Sequence, residues 1–150
     1  MLDIKEIYKK YNIINYTIND DGTIDVNGNV NLSSKGLTEL PLVFNKVSGD
    51  FDCGVNKLTS LKGSPRWIGG GFYCDHNQLT SLEFSPDYVG GSFWCSNNQL
   101  TDNYCDVEIG GYFHTTLEQD GLNINVGLVI NYDEWRILYK RKQILNKLFK

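Results

Sequence analysis

Apolar positions along this chain recur with two periods, one nested inside the other. The short period is two: Phe51 and Cys53, Phe72 and Cys74, and Phe93 and Cys95 each bracket a single residue. Side chains two apart share one face of a strand, so these pairs point inward while Asp52, Tyr73 and Trp94 point outward. The long period is 21. The chain reads FDCGVNKLTSLKGSPRWIGGG from Phe51, FYCDHNQLTSLEFSPDYVGGS from Phe72 and FWCSNNQLTDNYCDVEIGGY from Phe93. The first two units have 21 residues and the third has 20. A weaker copy, VNLSSKGLTELPLVFNKVSGD, runs from Val30 to Asp50, and a fragment, FHTTLE, starts at Phe113. A fixed period of this length marks stacked repeats, each burying its apolar side against the next.

The columns of the repeat have a physical meaning. Phe51, Phe72, Phe93 and Phe113 align, with Val30 before them. Cys53, Cys74 and Cys95 align two residues later, flanked by Leu32 and Thr115. Stacked coils would join these positions into a parallel sheet with strands about 4.8 Å apart. Asn56, Asn77 and Asn98 follow at the strand-to-turn corner, where an inward amide can bond the backbone of adjacent coils. Leu58, Leu79 and Leu100, then Leu61 and Leu82, suit the core. Val47, Ile68, Val89 and Ile109 form a further apolar column. The pairs Gly69–Gly70 and Gly90–Gly91 read as sharp corners taken with positive φ. Pro65 and Pro86 fall on the return side, where no sheet hydrogen bond is needed. Each unit has little room for a helix there, so extended or 3₁₀ segments are expected.

The two ends depart from the repeat. Ile4, Ile7, Tyr8 and Tyr11 form one helical stripe. The stretch NYTINDDGTIDVNGNV reads as strand, Asp-Gly turn and strand. Residues 1–29 are therefore expected to form an N-terminal helix-hairpin cap, and 30–121 the solenoid. Residues 122–150 should add a strand and a capping helix over 133–149. Trp135, Leu138, Tyr139, Leu145 and Phe149 would face inward there, and Arg136, Lys140, Arg141 and Lys147 would face water.

These columns resemble the leucine-rich repeat, LxxLxLxxNxL. Phe51-x-Cys53-x-x-Asn56-x-Leu58 matches its second half, while the step from Val47 to Phe51 is one residue longer than the consensus. The wording F-x-C-x-x-N-x-L-T-S-L with a V-G-G corner resembles small repeat proteins of tailed bacteriophages, over about residues 22–150. The resemblance implies an α/β fold: a short leucine-rich-repeat-like solenoid with a parallel sheet on one face. It also implies a viral source, and it carries no catalytic residues across.

Composition narrows the function classes. Residues 131–150 hold six Lys/Arg against two Asp/Glu, a charge of +4. The remaining 130 residues hold eight against sixteen, a charge of −8. An acidic body is the wrong sign for tracking a phosphate backbone, so nucleic acid is not the expected partner. The basic face of the last helix has two readings, contact with an acidic partner, a membrane surface or RNA, or a solvated face on a plain cap, and the solvated cap is favoured. No run of 18 apolar residues offers a membrane span. The N-terminus lacks the uninterrupted apolar core of a secretory signal. A cytoplasmic protein is expected, in the host cytoplasm if viral.

Candidate chemistry is sparse. Cys53, Cys74, Cys95 and Cys105 are spaced 21, 21 and 10 apart, unlike zinc ligands, which pair two to four residues apart. They are expected to be reduced core thiols. His76 and His114 have no Ser or Cys nucleophile placed beside them by the repeat. The Asp-Gly pairs at 21–22 and 120–121 lack the alternating acids of a calcium loop. No catalytic residue, metal or cofactor is expected.

The outward strand face is more informative. It should display Asp50 and Asp52, Tyr73 and Asp75, Trp94 and Ser96, then Tyr112 and His114, with Gly71, Ser92 and Thr116 between and beyond them. Core packing does not call for outward aromatics. In leucine-rich repeats this sheet is the concave binding face, and aromatics beside acids make a hot spot. Trp94 sits at its centre, whereas Trp67, at a corner on the return side, reads as a packing residue. The competing structural reading is an exposed cross-strand ladder that stabilises the sheet. The expected function is non-enzymatic binding of a host protein, such as a bacterial defence or regulatory factor, through this face. Sequestration of a nucleotide or other small ligand on the aromatic patch, or a structural role in the virion or its assembly, are the alternatives.

Overall fold

The two-residue period builds two columns of short strands, one on each side of every glycine corner. A computed structural model describes residues 4–101, 107–115, 118–119, 122–123 and 128–131. Helix α1 (Ile4–Lys10) comes first, followed by β1 (Tyr16–Ile18), β2 (Ile24–Val26) and β3 (Val30–Asn31). The repeats contribute β4 (Phe44–Val47), β5 (Phe51–Asp52), β6 (Trp67–Ile68), β7 (Phe72–Tyr73), β8 (Tyr88–Val89) and β9 (Phe93–Trp94). Then come β10 (Glu108–Ile109), β11 (Tyr112–Thr115), β12 (Glu118–Gln119), β13 (Leu122–Asn123) and β14 (Leu128–Asn131). One sheet runs β1-β2-β4-β6-β8-β10 and the other β3-β5-β7-β9-β11-β14. Within them only β1–β2 and β11–β14 pair antiparallel, at opposite ends of the stack. The architecture is a mostly parallel β-solenoid of about four turns.

The expected parallel sheet is present, and the structure adds a second one. The return segments are extended, one of the two expected forms, and each ends in a second strand; no 3₁₀ turn occurs among the described residues. The cause is a second two-residue alternation. Val47, Ile68 and Val89 are fully buried, while Lys46 and Trp67 beside them face out. The strands pair in register, Lys46 to Trp67 to Tyr88 to Glu108.

The corner glycines are needed for a reason other than the expected positive φ. None of Gly69, Gly70, Gly90 or Gly91 has positive φ. Instead, a Cβ on Gly69, Gly90 or Gly110 would run into the carbonyl oxygen of Ser48, Gly69 or Gly90 one coil earlier. A Cβ on Gly91 would lie 2.9 Å from the carbonyl carbon of Gly70. The backbones of successive coils approach too closely there for any side chain. The left-handed positions form another column, one residue before the Asn column in the repeats: Ser34, Val55, His76 and Asn97, with φ of 55°, 53°, 52° and 53°.

Two ladders hold the coils together. Phe51, Phe72, Phe93 and Phe113 are fully buried, with successive ring centroids 6.0, 4.9 and 5.4 Å apart. Such pairs add about 0.5–1.5 kcal/mol each beyond area burial. The Asn column does what its spacing suggests. The Asn77 amide donates to Cys53 O, one coil back, at 3.0 Å and to Cys74 O at 3.1 Å. Its carbonyl oxygen accepts the Leu58 N–H at 2.9 Å. Asn98 repeats the pattern with Cys74 O, Cys95 O and Leu79 N–H. Asn56 donates to Leu32 O and Cys53 O and accepts from Lys35 and Leu37. The polar groups of each buried corner are thereby paired.

Tyr8 from α1 and Ile13 are buried within the same core. Tyr8 stacks on Tyr16 of β1 with ring centroids 3.8 Å apart. The expected helix over 133–149, Cys105 and Thr116 lie outside the described residues.

Candidate functional site

The outward residues named from sequence lie on the sheet that runs β3 to β14. Register places Asn31, Asp52, Tyr73, Trp94 and His114 in one row across five strands. Asp50 and Tyr112 lie on one side of that row, and Asp75 and Ser96 on the other.

The aromatic members are stacked. Tyr73 and Trp94 have centroids 6.4 Å apart at 29°, and Trp94 and His114 have centroids 3.5 Å apart at 9°. Tyr73 can lean over its own strand because Gly71 leaves the space, and a Cβ there would lie 2.7 Å from the Tyr73 hydroxyl. Burial, then the negative charges of Asp50 and Asp52, push the Tyr73 phenol above its ordinary range. Trp94 is 37% exposed and Tyr112 54%. His114 is only 7% exposed, which corrects its reading as an open surface residue. It is covered because Trp94 lies on its ring and β14 pairs on the far side of its strand. Burial lowers its pKa, favouring the neutral ring. The close stack also leaves no gap between indole and imidazole for a nucleobase to enter.

The acids of the site have structural partners. Asp50 accepts the Gly71 N–H of the next coil at 2.7 Å, as Asn29 accepts the Asp50 N–H at 2.9 Å one coil earlier. Ser92 continues the column by accepting the Tyr112 N–H at 3.1 Å. Asp52 accepts the Gly54 N–H at 2.9 Å. Asp75 lies 2.8 Å from Nδ1 of His76, whose Nε2 lies 3.1 Å from the Asn97 amide nitrogen. That amide is a donor, so Nδ1–H donates to Asp75 and Nε2 accepts. The imidazole's basic nitrogen thus faces an amide, which is no nucleophile. Ser96 is half-buried beside this chain.

Cys53, Cys74 and Cys95 are fully buried in the core, and the Cys95 thiol donates to His114 O at 3.3 Å. Burial, then the charges of Asp52 and Asp75, push the Cys53 thiol far up, away from the thiolate that metal binding or nucleophilic attack requires. Among the described residues no three His, Cys, Asp or Glu side chains gather as a metal-binding group. Among the same residues no helix is long and apolar enough to cross a membrane.

The other sheet carries a second row that sequence reasoning missed. Trp67 is 36% exposed, stacked on Tyr88 at 5.6 Å and 10°, with Lys46 Nζ 4.5 Å above its ring. Its reading as a packing residue is corrected. The signal was available in the alternation of Lys46–Val47, Trp67–Ile68 and Tyr88–Val89. Beside this row, exposed Arg66 and Asp87 pair at 2.9 Å. Phe84, 52% exposed at φ 66°, and Val43, 54% exposed, flank an open groove of about 480 Å³.

Comparison with protein-family models, curated proteins and solved structures returns no match.

Proposed function

We propose that this protein is a non-catalytic binding module that engages a protein partner through the outer face of the β3-to-β14 sheet. The observation that carries this reading is the stacked row of Tyr73, Trp94 and His114, with Trp94 and neighbouring Tyr112 open to solvent. Large aromatics held rigid by stacking lose little side-chain entropy on binding, and Trp and Tyr dominate interface energetics. Asp50 and Asp52 are already bonded to backbone and Asp75 to the His76 ring, so these acids frame the patch and set its sign more than they reach outward.

The repeat's resemblance to phage proteins supports a host protein as the partner, with a bacterial defence or regulatory factor as the class. Helix α1 with the β1–β2 hairpin acts in this reading as a cap over the first coil of the solenoid. The test is capture from bacterial host lysate with wild type and Trp94→Ala, paired with thermal unfolding of both. Loss of one specific partner with the fold retained supports the assignment. Full retention of the partner contradicts it and leaves Trp94 as a sheet-stabilising rung.

A further inference from the structure

Strand β1 is the outermost strand of its sheet and pairs only with β2 among the described residues. In an antiparallel ladder, hydrogen-bonded and non-bonded residue pairs alternate. Asn27 N–H donates to Asn15 O at 2.8 Å and Asn19 N–H to Thr23 O at 2.9 Å. With Thr17 opposite Asp25, the bonded positions on β1 are therefore 15, 17 and 19. Tyr16 and Ile18, opposite Val26 and Ile24, aim their N–H and C=O groups at the outer edge. Three apolar side chains along this edge are exposed: Ile14 is 62% exposed, Ile18 48%, and Tyr16, with Tyr8 of α1 stacked on one side of its ring, 37%.

Natural edge strands are blunted by Lys, Pro, bulges or a covering element. Residues 11–19, YNIINYTIN, contain no charge and no proline. The charges lie just outside and differ in sign: Lys9 and Lys10 before the strand, Asp20 and Asp21 after it. Such an edge is self-complementary in one direction only. Antiparallel pairing sets each acidic end beside the other copy's basic end, whereas parallel pairing would set like charges together.

We infer that β1 is a self-association edge and that its occupant is β1 of a second copy of this chain. The pairing is antiparallel about a two-fold axis at Thr17, with Tyr16 opposite Ile18 of the second copy. It joins the two β1–β2 sheets into one continuous sheet, an isologous contact that closes on itself. The edge lies on the sheet that does not carry the Trp94 row, so this inference stands apart from the proposed partner face.

Sedimentation equilibrium over a concentration series tests it, with amide exchange at Tyr16 and Ile18 as a second readout on the unmodified protein. The expected result is a monomer–dimer equilibrium in which those two amides become more protected as concentration rises. Ile18→Pro removes an outward N–H without touching the β2 ladder and should give a monomer. Asp21 is avoided because it anchors the turn through Thr23. Lys9→Glu/Lys10→Glu and Asp20→Lys should each be monomeric alone and should pair when mixed, since the mixture restores both contacts. A protein that stays monomeric at every concentration, with unchanged exchange at Tyr16 and Ile18, overturns the inference. So does a dimer that persists in folded Ile18→Pro, or charge variants that fail to pair on mixing.

Discussion

The indole of Trp94 and the imidazole of His114 lie 3.5 Å apart and within 9° of parallel, on neighbouring strands of one sheet. The pair joins the proposed partner surface to a buried titratable group. Trp94 is the open face of the stack and His114 the covered one.

That burial gives stability a pH dependence. The folded-state pKa of His114 lies below its ordinary value because burial penalises the charged ring. The unfolded chain therefore binds the proton first as pH falls. The stabilising contribution is fully present above the unfolded value, about 6.5, and is lost as pH drops through the folded value. His114→Phe keeps an aromatic ring on Trp94 and removes the titration. Urea unfolding should show wild type losing stability relative to this variant below about pH 6.5, with a constant difference above it. Parallel profiles for the two would refute the assignment.

Glycine at the corner is required by coil-to-coil contact. Gly90→Ala should cost about 1–3 kcal/mol in chemical denaturation, since the added methyl meets the Gly69 carbonyl. Gly22, at φ 80° with open space around it, offers the contrast. Gly22→Ala should cost about 1–2 kcal/mol, for backbone conformation alone.

Asn77 closes a buried corner, so truncation should be expensive. Asn77→Ala strands the Leu58 N–H and removes a donor from Cys53 O. A buried group left unpaired costs about 1–3 kcal/mol. Asn77→Asp restores the acceptor but not the donor and should rescue little. A melting temperature unchanged in both variants would show that water replaces the amide.

Much of this was legible in the sequence, and the misses have physical causes. The Phe, Cys and Asn columns follow from a period that any stacked coil must obey, so their inward direction could be read directly. The second sheet could have been read too, but a run of only two residues, such as Trp67–Ile68, gives weak alternation. The left-handed column was not legible. Val55 and Asn97 share a conformation imposed by the stack, against the preference of a β-branched side chain. The burial of His114 was hidden because β14, which pairs outside it, belongs to no repeat.

Val55 makes the left-handed column testable. A β-branched residue at φ 53° is strained, so Val55→Gly or Val55→Asn should raise stability by about 1 kcal/mol in urea unfolding. The side chain is 54% exposed, so little packing is lost. Phe84→Gly, which copies Gly63 of the preceding coil, should act in the same direction. Destabilisation by the Val55 variants would show that the column is not strained.

The most direct measurement of the proposed partner surface compares the two aromatic rows. Trp94 and Trp67 are equally exposed rungs, at 37% and 36%, on different sheets of one molecule. Once a partner has been captured, its affinity is measured by calorimetry for wild type, Trp94→Ala and Trp67→Ala. Trp94→Ala should weaken binding by about 2 kcal/mol or more, roughly thirtyfold, and Trp67→Ala should leave it within about twofold. Equal losses in both variants, or a loss confined to Trp67→Ala, would contradict binding through the Trp94 face.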